Sequence, residues 1–156
     1  MITEEIRQEI QKRLKKYANE KSAVMDALRI VQRAGGGNIT KADMEEIAMI
    51  VGVNPVAVNA VAAFYTMYNY GKPVGRYHIQ VCRNISCALL DAERIIEHLE
   101  KRLKMRTGET TRDSRFTLST VECLGSCGTA PMMQINDDYY ENLTPERVDE
   151  ILDGLE

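Results

Sequence analysis

The chain has 156 residues, is 44% hydrophobic and 28% charged, and carries a net charge of −3, which suits one ordinary soluble domain or a small domain with a helical extension. A mildly acidic chain lacks the basic patch of a nucleic-acid binder, and no run of about 18 apolar residues is present to span a membrane. Met1–Glu20 is densely charged and has no apolar core of a signal peptide. A cytoplasmic location follows, where thiols stay reduced. The four cysteines then point to metal or redox chemistry rather than to disulfides.

The first 71 residues read as helices. Ile6, Ile10, Leu14 and Tyr17 recur at helical spacing, and Val24, Ala27, Leu28 and Val31 do the same after Ser22, an expected N-cap. Gly35, Gly36 and Gly37 close that helix. Thr40 caps a third helix carrying Met44, Ile47, Ala48 and Val51, and Gly52 stops it. Asn54 caps a fourth, with Pro55 at the first position, where a missing N–H costs nothing. This helix is expected to run to about Tyr70 without a charged residue, which predicts burial on most sides, within the chain or against a partner. Phe64, Tyr65, Tyr68 and Tyr70 would suit a protein interface. Met44 to Phe64 also has the outline of a helix-turn-helix, but residues 55–70 contain no Lys or Arg to reach phosphates, which argues against nucleic acid as a partner.

Gly71-Lys72-Pro73 marks a boundary between residues 1–71 and 72–156, and the charge changes with it, from near balance to an excess of four acidic groups. Tyr77, Ile79 and Val81 alternate with polar residues in a strand ending at Cys82. Ala92, Ile95, Ile96, Leu99 and Leu103 mark an amphipathic helix, and a polar loop follows. Phe116, Leu118 and Val121 form a second strand, expected to end at Cys123. Residues 132–135 and 139–141 read as a hairpin around Asn136-Asp137-Asp138. Thr144 caps a last helix that opens with Pro145 and Glu146. Neither His78 nor His98 falls in a ligand pattern, and Met132 and Met133 read as core.

The cysteines form two pairs, Cys82-x4-Cys87 and Cys123-x3-Cys127, with 35 residues between them. One helix and one strand in that interval fit a parallel crossover, which puts the carboxyl ends of both strands at one sheet edge. Two thiolate pairs would face one another there. A [2Fe–2S] cluster takes four thiolates, and so does structural zinc, although zinc pairs favour tight C-x2-C knuckles. A redox dithiol would want C-x-x-C, which is missing here. Gly125 and Gly128 would let backbone N–H groups approach cluster sulfurs, with Ser86 and Ser126 as further hydroxyl donors. Arg83 is a solvated side chain or a charge acting on the cluster. On these residues alone iron–sulfur and zinc both stand.

The segments Tyr77-His78-Ile79-Gln80-Val81-Cys82, Ser86-Cys87 and Val121-Glu122-Cys123-Leu124-Gly125-Ser126-Cys127-Gly128-Thr129-Ala130-Pro131 resemble the E-type ferredoxin component of NADH:quinone oxidoreductases. Ala63-Phe64-Tyr65 and Leu143-Thr144-Pro145-Glu146 carry the resemblance into both halves. It implies an α/β thioredoxin-like ferredoxin domain preceded by an all-α helical bundle extension. It also implies a [2Fe–2S] cluster on Cys82, Cys87, Cys123 and Cys127. Its implied partners are a flavoprotein subunit that binds FMN and NADH and a further iron–sulfur subunit, in complex I, an electron-bifurcating hydrogenase or an NAD-dependent formate dehydrogenase. A zinc scaffold is the rival reading. The chain has no G-x-G-x-x-G fingerprint after a strand, so no NADH site is expected within it. Two positions depart from the family pattern: Asp113-Ser114, where Asp-Gly is common, and Asp91, where a glycine often follows the second cysteine.

Overall fold

The computed structural model describes residues 2–155. The chain divides into two compact units between Pro73 and Val74.

The first unit holds four helices: α1 (Glu4–Leu14), α2 (Val24–Ala34), α3 (Lys41–Val51) and α4 (Pro55–Phe64). Ile10, Leu28, Ile47 and Val58, one from each, are fully buried in a shared core. Local chemistry sets most of the ends. Thr3 caps α1, Asn54 caps α4, and Thr40 forms a reciprocal capping box with Asp43 on α3. Gly52 ends α3 in the left-handed conformation, at φ 79°.

Three expectations for this unit are corrected. Ser22 is not a cap: Asn19 caps a 3-10 turn, Glu20–Ala23, that leads directly into α2. The fourth helix stops at Phe64 rather than near Tyr70, because the following residues bond to distant groups. Tyr68 donates its hydroxyl to the Met25 carbonyl (2.9 Å), and the Asn69 N–H donates to Gln32 Oε1 (2.7 Å). Tyr68 is therefore buried within the unit rather than presented on its surface, as an interface residue would be. Within the unit, α4 buries Val58 and Ala62 and exposes Val56 and Phe64.

The second unit is built on a four-stranded mixed sheet of order β2-β1-β3-β4, with β1 at Tyr77–Cys82, β2 at Phe116–Val121, β3 at Met133–Ile135 and β4 at Asp138–Tyr140. β1 runs parallel to β2, in the register Tyr77↔Phe116 to Cys82↔Val121, and antiparallel to β3. β2 thus ends two residues before Cys123. One element escaped the periodicity: α5 (Ile85–Leu89), five residues capped by Asn84. Helix α6 (Ala92–Leu103) and helix α7 (Pro145–Asp153) supply Ile95, Leu99 and Val148 to a core with Ile79, Val81 and Leu118. His98 on α6 is bonded to Asp149 on α7 (2.9 Å), so it has a structural place.

Both departures from the family pattern fall on left-handed backbone, with Asp91 at φ 62° and Ser114 at φ 56°. A glycine adopts this conformation freely, whereas a side chain adds about 1–2 kcal/mol. Ser114 is exposed, so Ser114→Gly is expected to stabilise the chain by about 1 kcal/mol, raising Tm by a few degrees in a thermal melt.

His78 on β1 bonds through Nε2 to Ser119 Oγ (2.7 Å), and burial pushes its imidazole down to about 4. An unfolded histidine titrates near about 6.5. Between those values the unfolded chain binds a proton that the folded chain refuses. Stability from this group is therefore full above about pH 6.5 and falls as pH drops, approaching about 1.4 kcal/mol per unit. Urea melts between pH 7 and 5 should show this slope in the wild type and a flatter one in His78→Gln.

Candidate metal centre

The two cysteine pairs meet because of the β1–β2 pairing. Cys82 is the last residue of β1, opposite Val121 at the end of β2. Two more residues bring the chain to Cys123, on the same edge of the sheet. The Cys82 thiol donates to the Glu122 carbonyl (3.7 Å), directly linking the first loop to the second. The Cys82 N–H donates to the Met132 carbonyl (3.2 Å), which fastens the strand end from its other side. Cys87 lies on α5, one short turn beyond Cys82. Met132 and Ala92 complete a small buried cluster with both thiols, and Leu124 and Ala130 of the second loop pack against it.

The two pairs differ in their surroundings. Cys82 and Cys87 are buried, at 3% and 2% exposure, whereas Cys123 and Cys127 are exposed. None of the four is in a disulfide. Burial pushes the Cys87 thiol up to about 11, with further upward contributions from its hydrogen bond to Cys82 and from the Cys82 and Cys127 charges. A thiol held protonated in this way ionises more readily when positive charge is supplied, and a bound metal ion would supply it. Among the described residues no three His, Cys, Asp or Glu side chains gather around one point to hold a single ion.

The loop between Cys123 and Cys127 is shaped by Gly125, which is at φ 82° and donates its N–H to Cys123 Sγ (3.4 Å). That is a backbone donor to a cysteine sulfur, as the loop's glycine suggested. A Cβ built at Gly125 or at Gly128 would meet no protein atom within 4 Å. Ser126 corrects an expectation. Its hydroxyl donates to Glu141 rather than to a sulfur, and Thr129 Oγ1 donates to the same carboxylate oxygen (2.6 Å). Those two hydroxyls hold the Glu141 carboxyl below the usual carboxylate range. Sequence patterns gave no sign of Glu141 or of Tyr139, whose hydroxyl donates to the Leu124 carbonyl (2.7 Å). Arg83 is exposed. Ile85, Leu89 and Leu90 are also exposed around Cys87, an apolar rim that the motif did not announce.

A parallel strand pair with four free thiols at one edge, on a mixed four-stranded sheet backed by helices, defines an iron–sulfur protein of thioredoxin-like fold. The chain belongs to the thioredoxin-like [2Fe–2S] ferredoxin family, whose sequence profile matches residues 10–156. It is 46% identical over 150 residues to the second E-type subunit of NADH-quinone oxidoreductase from Rhizobium meliloti (strain 1021), covering 96% of this chain and 88% of that relative. It is 43% identical over 145 residues to the E-type subunit of NADH-quinone oxidoreductase from Rickettsia conorii (strain ATCC VR-613 / Malish 7), covering 92% of this chain and 86% of the other. In fold it is similar to a chain of an NAD+-reducing [NiFe]-hydrogenase in the air-oxidized state, with a TM-score of 0.68 at 20% identity. That likeness covers 81% of this chain and 22% of the hydrogenase chain. The resemblance read from the sequence is thereby established, and the cofactor is a [2Fe–2S] cluster.

Gly125 is the backbone position this loop depends on. Gly125→Ala is expected to cost about 1–2 kcal/mol in chemical denaturation, because alanine must take the same positive φ.

Proposed function

We propose that Cys82, Cys87, Cys123 and Cys127 hold the [2Fe–2S] cluster, and that residues 72–156 are the cluster-bearing domain while residues 1–71 form a helical bundle extension. The chain is an electron-transfer subunit of an oxidoreductase complex, and in this reading the complex is NADH-linked, of the complex I or bifurcating-hydrogenase type. The names of its NADH-quinone oxidoreductase relatives support that choice. An NAD-dependent formate dehydrogenase is the alternative. The observation that carries the ligand assignment is the register Cys82↔Val121 with the Cys82–Glu122 bond, which sets the two pairs at one edge.

When bound, a [2Fe–2S] cluster takes up and releases one electron at a time. The protein's part is to fix four sulfurs and to adjust their environment. Met132 and Ala92 keep solvent from Cys82 and Cys87, and the Gly125 N–H offers a hydrogen bond that favours the more electron-rich state. The exposed edge at Cys123 and Cys127 gives an electron a short way out to a partner. NADH surrenders two electrons together, and a flavin converts that pair into single steps. The partner we assign is accordingly a flavoprotein subunit carrying FMN and the NADH site, with a further iron–sulfur subunit in the complex. The setting is the cytoplasm. Among the described residues no helix is long and apolar enough to cross a membrane.

Metal analysis of the full chain, purified without oxygen, should give two irons and two sulfides per chain and a rhombic paramagnetic resonance signal after reduction. Each single Cys→Ser change should lower iron content or alter that signal. A ratio near one zinc per chain would overturn the assignment, and NADH turnover by the pure chain would rule out the division of labour with a flavoprotein.

A further inference from the structure

The buried cysteines are fixed by packing, but Cys123 and Cys127 are exposed and need another restraint. A metal centre demands that its donor atoms keep their places to within about 0.5 Å. The restraint visible around this loop is a set of hydrogen bonds from the β3–β4 hairpin and the residues just after it. Tyr139 Oη donates to the Leu124 carbonyl (2.7 Å), and the Asn142 N–H donates to the Thr129 carbonyl (2.8 Å). Between these two ties, one carboxylate oxygen, Glu141 Oε1, accepts from both Ser126 Oγ and Thr129 Oγ1. Those hydroxyls bracket Cys127, one on each side in sequence.

A serine or threonine has a single O–H to donate. While Ser126 and Thr129 give theirs to Glu141, neither gives it to a cysteine sulfur. The Thr129 N–H also donates to the Ser126 carbonyl (3.2 Å), closing the turn that the carboxylate grips from outside. Loss of this acceptor would leave an exposed turn less constrained, held by the Ser126 Oγ–Thr129 Oγ1 contact (2.9 Å) and the bond from Thr129 Oγ1 to the Ser126 carbonyl (3.2 Å). Hydrogen bonds to sulfur and nearby negative charge are two of the levers that set a cluster's potential.

We propose that Glu141 is a positioning residue for the cluster. Through Ser126 and Thr129 it clamps the Cys127 turn to the hairpin, and its negative charge beside that turn keeps the potential low. This rests on the ligand reading above. Its consequence is that a residue 14 positions beyond the last cysteine governs how firmly the cluster is held and how readily it is reduced.

The test compares the full-length wild type with Glu141→Gln, Glu141→Ala and the double variant Ser126→Ala/Thr129→Ala. Two readouts are used: the rate of cluster bleaching by an iron chelator, and the midpoint potential from a redox titration followed by paramagnetic resonance. Glu141→Ala should bleach about tenfold faster, the scale of losing hydrogen bonds to a charged group, and its potential should rise. Glu141→Gln keeps an acceptor oxygen, so its bleaching should stay within about threefold of wild type, while loss of the charge still raises its potential. The double variant should bleach as fast as Glu141→Ala, and it keeps the proposal open to refutation if Glu141→Ala fails to fold. Wild-type bleaching and potential in Glu141→Ala, or wild-type bleaching in the double variant, would overturn the inference. A wild-type chain carrying no cluster would instead overturn the ligand reading beneath it.

Discussion

The parallel pairing of β1 with β2 is the constraint on which the metal centre depends. Parallel neighbours cannot be joined by a tight turn, so the chain must leave the sheet, cross it through α5 and α6, and re-enter in the same direction. That crossover separates the two cysteine pairs by 35 residues in sequence, and the register Cys82↔Val121 then returns them to one edge. Shifting the register by one residue would turn alternate side chains to the opposite face of the sheet. Ile79, Val81 and Leu118 would leave the core, so the apolar alternation that stabilises the sheet also holds the cysteine positions in register.

Each cysteine pair is held by a different kind of force. Cys82 and Cys87 are wedged against Met132 and Ala92, where close packing and exclusion of water fix them. Cys123 and Cys127 are themselves exposed, and directional bonds from Tyr139 and Asn142 and to Glu141 steady their loop beside the packing of Leu124 and Ala130. This asymmetry suits an electron carrier. A dry side limits the rearrangement of solvent when charge changes, and an open side lets a partner come near. Ile85, Leu89 and Leu90 leave apolar surface exposed near the same loops.

The hairpin β3–β4 therefore serves both pairs. Its first strand completes the sheet beside β1, and the residue just before that strand, Met132, backs the buried thiols. Its second strand and the residues after it carry the tethers to the exposed loop. Asp91 and Ser114 hold left-handed backbone without being glycine. Their short polar side chains tolerate that conformation at a modest cost, which the surrounding contacts offset.

Much of this chain was legible in its sequence because the signals are local. A cap such as Thr40 with Asp43, or Asn54 followed by Pro55, acts across three residues or fewer, and the alternation of Tyr77 to Val81 needs only its own neighbours. The cysteine spacing likewise pointed to metal chemistry, and the family resemblance carried by the Cys-Leu-Gly-Ser-Cys segment gave the [2Fe–2S] cofactor. Tertiary structure decided what distant partners control. α4 ends at Phe64 because Tyr68 and Asn69 bond to Met25 and Gln32, although no glycine or proline stands at residues 65–70 to announce a stop. α5 is too short for a periodicity to reveal it. Ser126 turns to Glu141 rather than to a sulfur because the hairpin delivers a carboxylate from 15 residues away. The four cysteines by themselves pointed to metal chemistry, with iron–sulfur and zinc both open. Which pair is dry, which is exposed and what steadies the exposed one were settled by hydrogen bonds and burial between segments far apart in the chain, and such contacts leave no pattern in a local window of sequence.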